Sequence, residues 1–294
     1  MPLDPGIGYA LLAALVWGVY IFALKRYFDD YPATPFTVLV NCAAVVVYLP
    51  VALTTVDPAE VPDPTTFAAT DVGAVLLTVV GVGAAFVLFL RAIDAGAVSY
   101  VTPINKVVPV FVLPIEVALL GAHLRPIQVL GVVVATLAVY VANYEPGHLL
   151  DPIRRAATSR PAQLALLSAV AYAVSDVGKR VALGDLGIPT GVWVPFLLLA
   201  VALLLAPLAA REWPDWPVRR DLPRFLVAGA LVATGEHVTS LAFSTVPASV
   251  ASPIINTQAV VAVLLGGVLL GEEALGVRLA AAGLAVAGVT LVAL

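Results

Sequence analysis

The chain has 294 residues, of which 61% are hydrophobic and only 12% charged. A water-facing domain carries about 25% charged residues, so half that share excludes a reading as one or two ordinary soluble domains. The formal net charge of −4 rests on few groups, and with no basic patch interleaved with aromatics the chain lacks a footprint for nucleic acid.

Ten apolar runs follow one another, at 6–24, 35–56, 70–91, 97–121, 126–144, 162–182, 189–210, 222–245, 248–271 and 275–294. Each approaches the roughly 20 residues that a helix needs to cross hydrocarbon. Lipid offers no partner to backbone polar groups, so spans are helices or closed barrels. Barrel strands read as alternating runs of about ten residues, and these runs are longer and continuous. The sequence therefore predicts an all-α integral membrane protein with ten transmembrane helices. Met1 to Gly6 lacks the basic region of a cleavable signal, so the first run reads as a permanent span. Cys42 is the single cysteine and lies in an apolar run, so no intrachain disulfide is available. The loop 57–69 carries Asp57, Glu60, Asp63 and three prolines. Trp213 and Trp216, in the polar segment 211–224, suit a membrane–water interface.

The chain reads as two halves, 1–145 and 162–294, joined by a polar linker, 146–161. At an offset of 150, Thr102-Pro103-Ile104 faces Ser252-Pro253-Ile254, and Gly121 faces Gly271. At an offset of 155, Ala14-Leu15-Val16-Trp17 faces Ala169-Val170-Ala171-Tyr172. Consistent spacing points to duplication. Five spans per half is an odd number, so the halves enter the membrane in opposite orientations, as two inverted five-helix repeats. In such architectures a substrate site lies near mid-membrane, where the repeats meet.

Residues 243–294 run Phe243-Ser244-Thr245-Val246-Pro247-Ala248-Ser249, then an apolar span, then Leu269-Leu270-Gly271-Glu272-Glu273, then a Gly/Ala-rich final helix through Gly283 and Gly288. This pattern, with its Gly271-Glu272 pair, resembles the drug/metabolite transporter superfamily, specifically the ten-helix EamA-type permeases. Val108-Pro109-Val110-Phe111 fits the same pattern in the first half, whereas Gly121 is followed there by Ala122 and His123. The resemblance implies a multi-pass protein of the cell membrane that exports or exchanges small metabolites. It also implies a central cavity lined by spans 1, 3, 4, 6, 8 and 9, and both termini in the cytoplasm. The charge distribution predicts the opposite insertion. Of 15 basic residues, eleven (Lys25 to Arg278) flank loops after odd-numbered spans. Arg125, Lys179 and Arg180 flank even ones, and Lys106 lies within a span. Cytoplasmic loops carry the excess of Lys and Arg, which puts both termini outside.

Ionisable groups at mid-membrane are costly and face a cavity or a partner. Lys106, about nine residues into its span, reads as a cation for a substrate carboxylate or phosphate, with a structural ion pair or a snorkelling lysine as the alternative, and the adjacent Asn105 reads as a further substrate-binding residue. Glu236, deep in the eighth span, reads as a carrier of a coupling proton or as the partner of Lys106 or another base. Its neighbour His237 reads as packing. Asn256 matches Lys106 at the 150 offset and is followed by Gln258, so both are candidates to line the cavity. Trp17 and Tyr100 are aromatic candidates for the same lining. Asp176 reads as a local partner of Lys179 or Arg180, Glu116 as interfacial, and Glu272 as a turn residue capping the final helix.

No metalloprotease helix motif or phosphate-binding loop is present, so the sequence calls for no cofactor and no enzymatic activity. The reading is a secondary transporter of small organic metabolites, amino acids or related anionic or zwitterionic compounds, working by alternating access. Its partners are a small-molecule substrate, the lipid bilayer and a proton or other coupling ion. The alternatives are a membrane-embedded lipid-modifying enzyme, marked by clustered acids near one interface, and a non-transporting assembly protein.

Overall fold

The computed structural model describes residues 5–28, 30–120, 125–142, 158–213, 218–269 and 275–293. Most of the linker 146–161, Ala122-His123 and the Gly271-Glu272-Glu273 turn lie outside the described residues, as do the side chains of Pro103 and Glu116.

Among the described residues the secondary structure is helical, with no strand. In chain order the helices are α1 (Pro5–Tyr27), α2 (Ala33–Thr55), α3 (Ala69–Ala95), α4 (Val98–Asn105), α5 (Val108–Leu120) and α6 (Pro126–Ala142). They continue with α7 (Arg160–Arg180), α8 (Thr190–Arg211), α9 (Val218–Thr245), α10 (Ala248–Asn256), α11 (Gln258–Leu269) and α12 (Leu275–Ala293). Two short 3₁₀ turns, Pro58–Glu60 and Pro64–Thr66, cap the loop between α2 and α3, and a π-helical turn, Val181–Asp185, closes α7. Six stretches are long and apolar enough to cross a membrane: α1, α2, α3, α8, α9 and the α10–α11 stretch over Ala248–Gly266. Shorter apolar helices accompany them. Val, Ile and Thr disfavour helix in water, but here the backbone's need for internal partners prevails.

Two runs that the sequence presents as single spans are broken near their middles. Val107 N–H donates to Ile104 O at 3.4 Å and Val110 N–H to Val107 O at 2.9 Å. One hundred and fifty residues on, Thr257 N–H donates to Ile254 O at 3.1 Å and Val260 N–H to Thr257 O at 3.0 Å. These tightened i→i−3 bonds interrupt the α-helical ladder at matched positions. In the first half Pro109 brings no N–H to the carbonyl of Asn105, which sharpens the break.

Helix packing repeats in the same register. α1 packs on α9 as α3 packs on α7, and α1 on α11 as α5 on α7. α2 meets α8, and α6 meets α12, each pairing equivalent members of the two halves. Without a hydrophobic driving force between helices in lipid, close van der Waals fit holds such contacts. Gly229 shows it: a Cβ there would lie 2.7 Å from the Ala44 backbone nitrogen, so α9 approaches α2 at a distance only glycine permits.

One end of the bundle gathers the ends of α1, α3 and α8 with the start of α9. Tyr31 donates its hydroxyl to Asp221, and Arg91 pairs with Glu212 at 3.1 Å. Phe28, Phe36 and Phe225 are buried beneath Tyr31, with ring centroids 4.8–5.8 Å apart. At the other end the start of α8 meets the end of α2, where Gly191 lies against Val56.

Candidate functional site

The halves enclose one large cavity, with about 940 Å³ of empty space including its open mouth. Its wall is built twice over. At the offset of 150, Val82, Phe86, Phe89, Lys106 and Val108 match Val232, Glu236, Thr239, Asn256 and Gln258; at 155, Trp17, Ile21 and Leu24 match Tyr172, Asp176 and Lys179. All sixteen residues line the cavity.

The two walls differ in chemistry. The first half presents Trp17, Ile21, Leu24, Phe86 and Phe89, and the corresponding second-half positions present Tyr172, Asp176, Lys179, Glu236 and Thr239. Lys106 and Asn41 are the exceptions, a cation and an amide contributed by the first half.

Lys106 caps α4 at the helix break and is 5% exposed. Its ammonium lies 5.2 Å from the ring centre of Phe89 and 5.1 Å from that of Tyr172, a cation–π setting on two sides. Lys179 and Glu236 form a buried ion pair at 2.6 Å, with side chains 7% and 6% exposed. Asp176 accepts a hydrogen bond from the Ser252 hydroxyl at 2.7 Å. The Asn256 amide donates to Ser252 O at 2.7 Å and to its Oγ at 3.2 Å, fixing that hydroxyl beside the α10–α11 break. Trp17 donates its indole N–H to Thr239 Oγ at 2.9 Å. A Cβ on Gly235 would lie 2.8 Å from the indole Cε2, so the missing side chain lets Trp17 lie flat against α9.

Lys106, Glu236, Asn256, Gln258 and Trp17 thus meet in one cavity. Asn105 is turned elsewhere, donating to Ser168 Oγ at 2.9 Å and Ala165 O at 3.3 Å, while Ser168 donates to Ala85 O at 2.6 Å. These bonds clamp α4, α7 and α3 together. Tyr100 reaches Ser159 at 3.5 Å, at the outer end of α7, and does not line the cavity. His237 shares a 2.7 Å hydrogen bond with Tyr48 across the α9–α2 contact. Lys179 pairs with Glu236, and Asp176 accepts from Ser252, so contacts between helices add to the local attraction expected between Asp176 and Lys179. Tyr172, Asp176 and Lys179 were hidden individually. The signal was available in the repeat, because adding 155 to Trp17 projects the cavity face of α1 onto these positions.

The fold and site of the described residues define a multi-pass, helical membrane protein of two like halves around a largely apolar cavity that holds four charged side chains. The chain belongs to the EamA-like transporter family, which it matches over residues 4–144 and again over 160–294. A solved structure described only as "Crystal structure of protein" is similar over 97% of this chain and 95% of its own, with a TM-score of 0.68 and 18% sequence identity, a likeness of fold alone. A comparison with curated proteins finds no match.

Proposed function

We propose that the protein crosses the cell membrane ten times as two inverted five-helix repeats and moves small organic metabolites by alternating access. The observation that carries this reading is the cavity wall: eight matched pairs of residues, one from each half, face one space. Helix directions support the inversion. The end of α1 meets the start of α9, the end of α3 meets the start of α7 (Gly96 beside Pro161), and the end of α2 meets the start of α8. With α1 taken as ascending, its second-half equivalent α7 descends, and likewise α2 descends where α8 ascends and α3 ascends where α9 descends. Counting the broken pairs α4–α5 and α10–α11 as one crossing each gives five per half.

The substrate class we infer is anionic or zwitterionic, in efflux or exchange. Lys106 anchors its negative group, since it lies between two aromatic rings with no carboxylate within ion-pair distance among the described residues. Asn256 and Gln258 offer hydrogen bonds from the matching wall, and Trp17 with Phe86 and Phe89 offers an apolar face. Half-helix ends at the two breaks add oriented backbone dipoles, a recurring device in secondary transporters. Asn105 and Tyr100 serve the frame around the site. In this reading the chain carries out transport without bond chemistry.

The test is counterflow in proteoliposomes, after a thermal-shift screen of metabolites has chosen the labelled compound. Lys106→Ala should abolish exchange while the protein stays monodisperse and helical. Unchanged exchange would remove Lys106 from the site.

A further inference from the structure

We infer that Asp176 is the proton-binding group of the cavity, taking up one proton when the positive charge of Lys106 is neutralised. This rests on the reading of the cavity as the transport site, but the linkage itself concerns only the charges within it.

The formal charges facing the space are Lys106 and Lys179, positive, and Asp176 and Glu236, negative, which cancel. Tyr20 and Tyr172 are the other ionisable side chains nearby; α3 presents Val82, Phe86 and Phe89, and α10 presents Ser252. The four charges are not equivalent. Lys179 and Glu236 neutralise each other at 2.6 Å. Lys106 has no carboxylate within ion-pair distance among the described residues, and Asp176 is the opposite charge acting on it. Asp176 in turn is held by a neutral hydroxyl at 2.7 Å. Lys106 and Asp176 therefore balance each other at a distance, across space that a ligand can enter.

An anionic group bound at Lys106 ends that balance. The cavity would then hold a net negative charge at a depth where unpaired charge is costly. Screening there is far weaker than in water. One proton restores neutrality, and it goes to the carboxylate outside the 2.6 Å ion pair, on which Lys179 and Lys106 act only from farther off. On binding it, Asp176 gains a donor and loses its charge, so the bond it accepts from Ser252 is no longer charge-assisted and weakens. Ser252 lies on α10, one turn before the break at Thr257. Proton uptake thus reaches the hydrogen bond that ties α7 to the broken helix, the contact a rocking motion of the halves has to change. Glu236 is less suited to this part, because protonating it breaks the 2.6 Å pair with Lys179.

Removing the Lys106 charge by mutation imitates the bound anion without needing the ligand. The experiment is infrared difference spectroscopy of the purified full chain at neutral pH, following the carbonyl band of a protonated carboxyl. Lys106→Gln and Lys106→Met, two variants so that one folded sample suffices, should each gain this band relative to wild type. The band should vanish in the double variant with Asp176→Asn and persist in the one with Glu236→Gln. No band in either Lys106 variant, or a band lost with Glu236→Gln instead, overturns the assignment. Failure of the transport reading shows separately, as absent counterflow in wild-type protein whose Lys106 variants still gain the band.

Discussion

Replacing Lys179 by methionine leaves a buried carboxylate without its counter-ion. The Lys179–Glu236 pair is 2.6 Å apart and over nine-tenths buried on both sides. Breaking such a pair from one side costs about 3–5 kcal/mol, because the survivor stays desolvated with nothing to balance it. Lys179→Met should therefore destabilise the fold by about that amount. Glu236→Gln should cost less, about 2 kcal/mol, since Lys179 retains Asp176 one turn away on its own helix as an alternative partner. The double variant Lys179→Met/Glu236→Leu removes both charges and should return close to wild-type stability, as apolar replacement of a whole buried pair does. The double variant should thus lie at least about 3 kcal/mol above the sum of the single losses. Unfolding by sodium dodecyl sulfate in mixed micelles, followed by tryptophan fluorescence, measures all four proteins. Single losses below about 1 kcal/mol that simply add, the behaviour of an exposed pair, would refute the reasoning.

Gly235→Ala should push the Trp17 indole off α9 and break its bond to Thr239, costing about 1–3 kcal/mol by overpacking and shifting Trp17 fluorescence; a spectrum identical to wild type contradicts the packing described. Asn105→Leu should cost about 1–3 kcal/mol in the same unfolding assay, because the Ser168 clamp loses its donor, and a neutral result would mean that the clamp carries no load. Burial and the bond to Asp221 push the Tyr31 hydroxyl up from its usual 10.0 to about 12. Its contribution is thus complete below pH 10.0 and is lost as pH rises toward about 12. Wild-type stability should fall across that window more than that of Tyr31→Phe, and parallel pH curves would contradict it.

Much of this was legible from run lengths, because hydrocarbon thickness and backbone satisfaction leave a polytopic chain few alternatives. The duplication was legible too, at Thr102-Pro103-Ile104 and Ser252-Pro253-Ile254, which flank the two helix breaks. The exact positions of the breaks were not, since Ala259 stands where the first half has Pro109 and no proline follows the second break. Lys106, Glu236 and Asn256 stood out because ionisable and amide groups are rare at that depth. Asp176 and Lys179 were obscured by each other: three residues apart on one helix, they read as a local pair, and only the approach of α9 and α10 shows that each is held by a different neighbour. Asn105 looked like a site residue for the same reason Lys106 did, yet as consecutive residues at the end of α4 they point to different sides, one into a helix contact and the other into the cavity.

The central claim is that matched faces of the two halves share one space that opens to each side of the membrane in turn. On a Cys42→Ser background, Val82→Cys and Val232→Cys place single thiols at equivalent positions of that space. Labelling of oriented vesicles with a membrane-impermeant thiol reagent should reach both positions from either face. A thiol that reacts from neither side, or two thiols each confined to a different side, would contradict the claim.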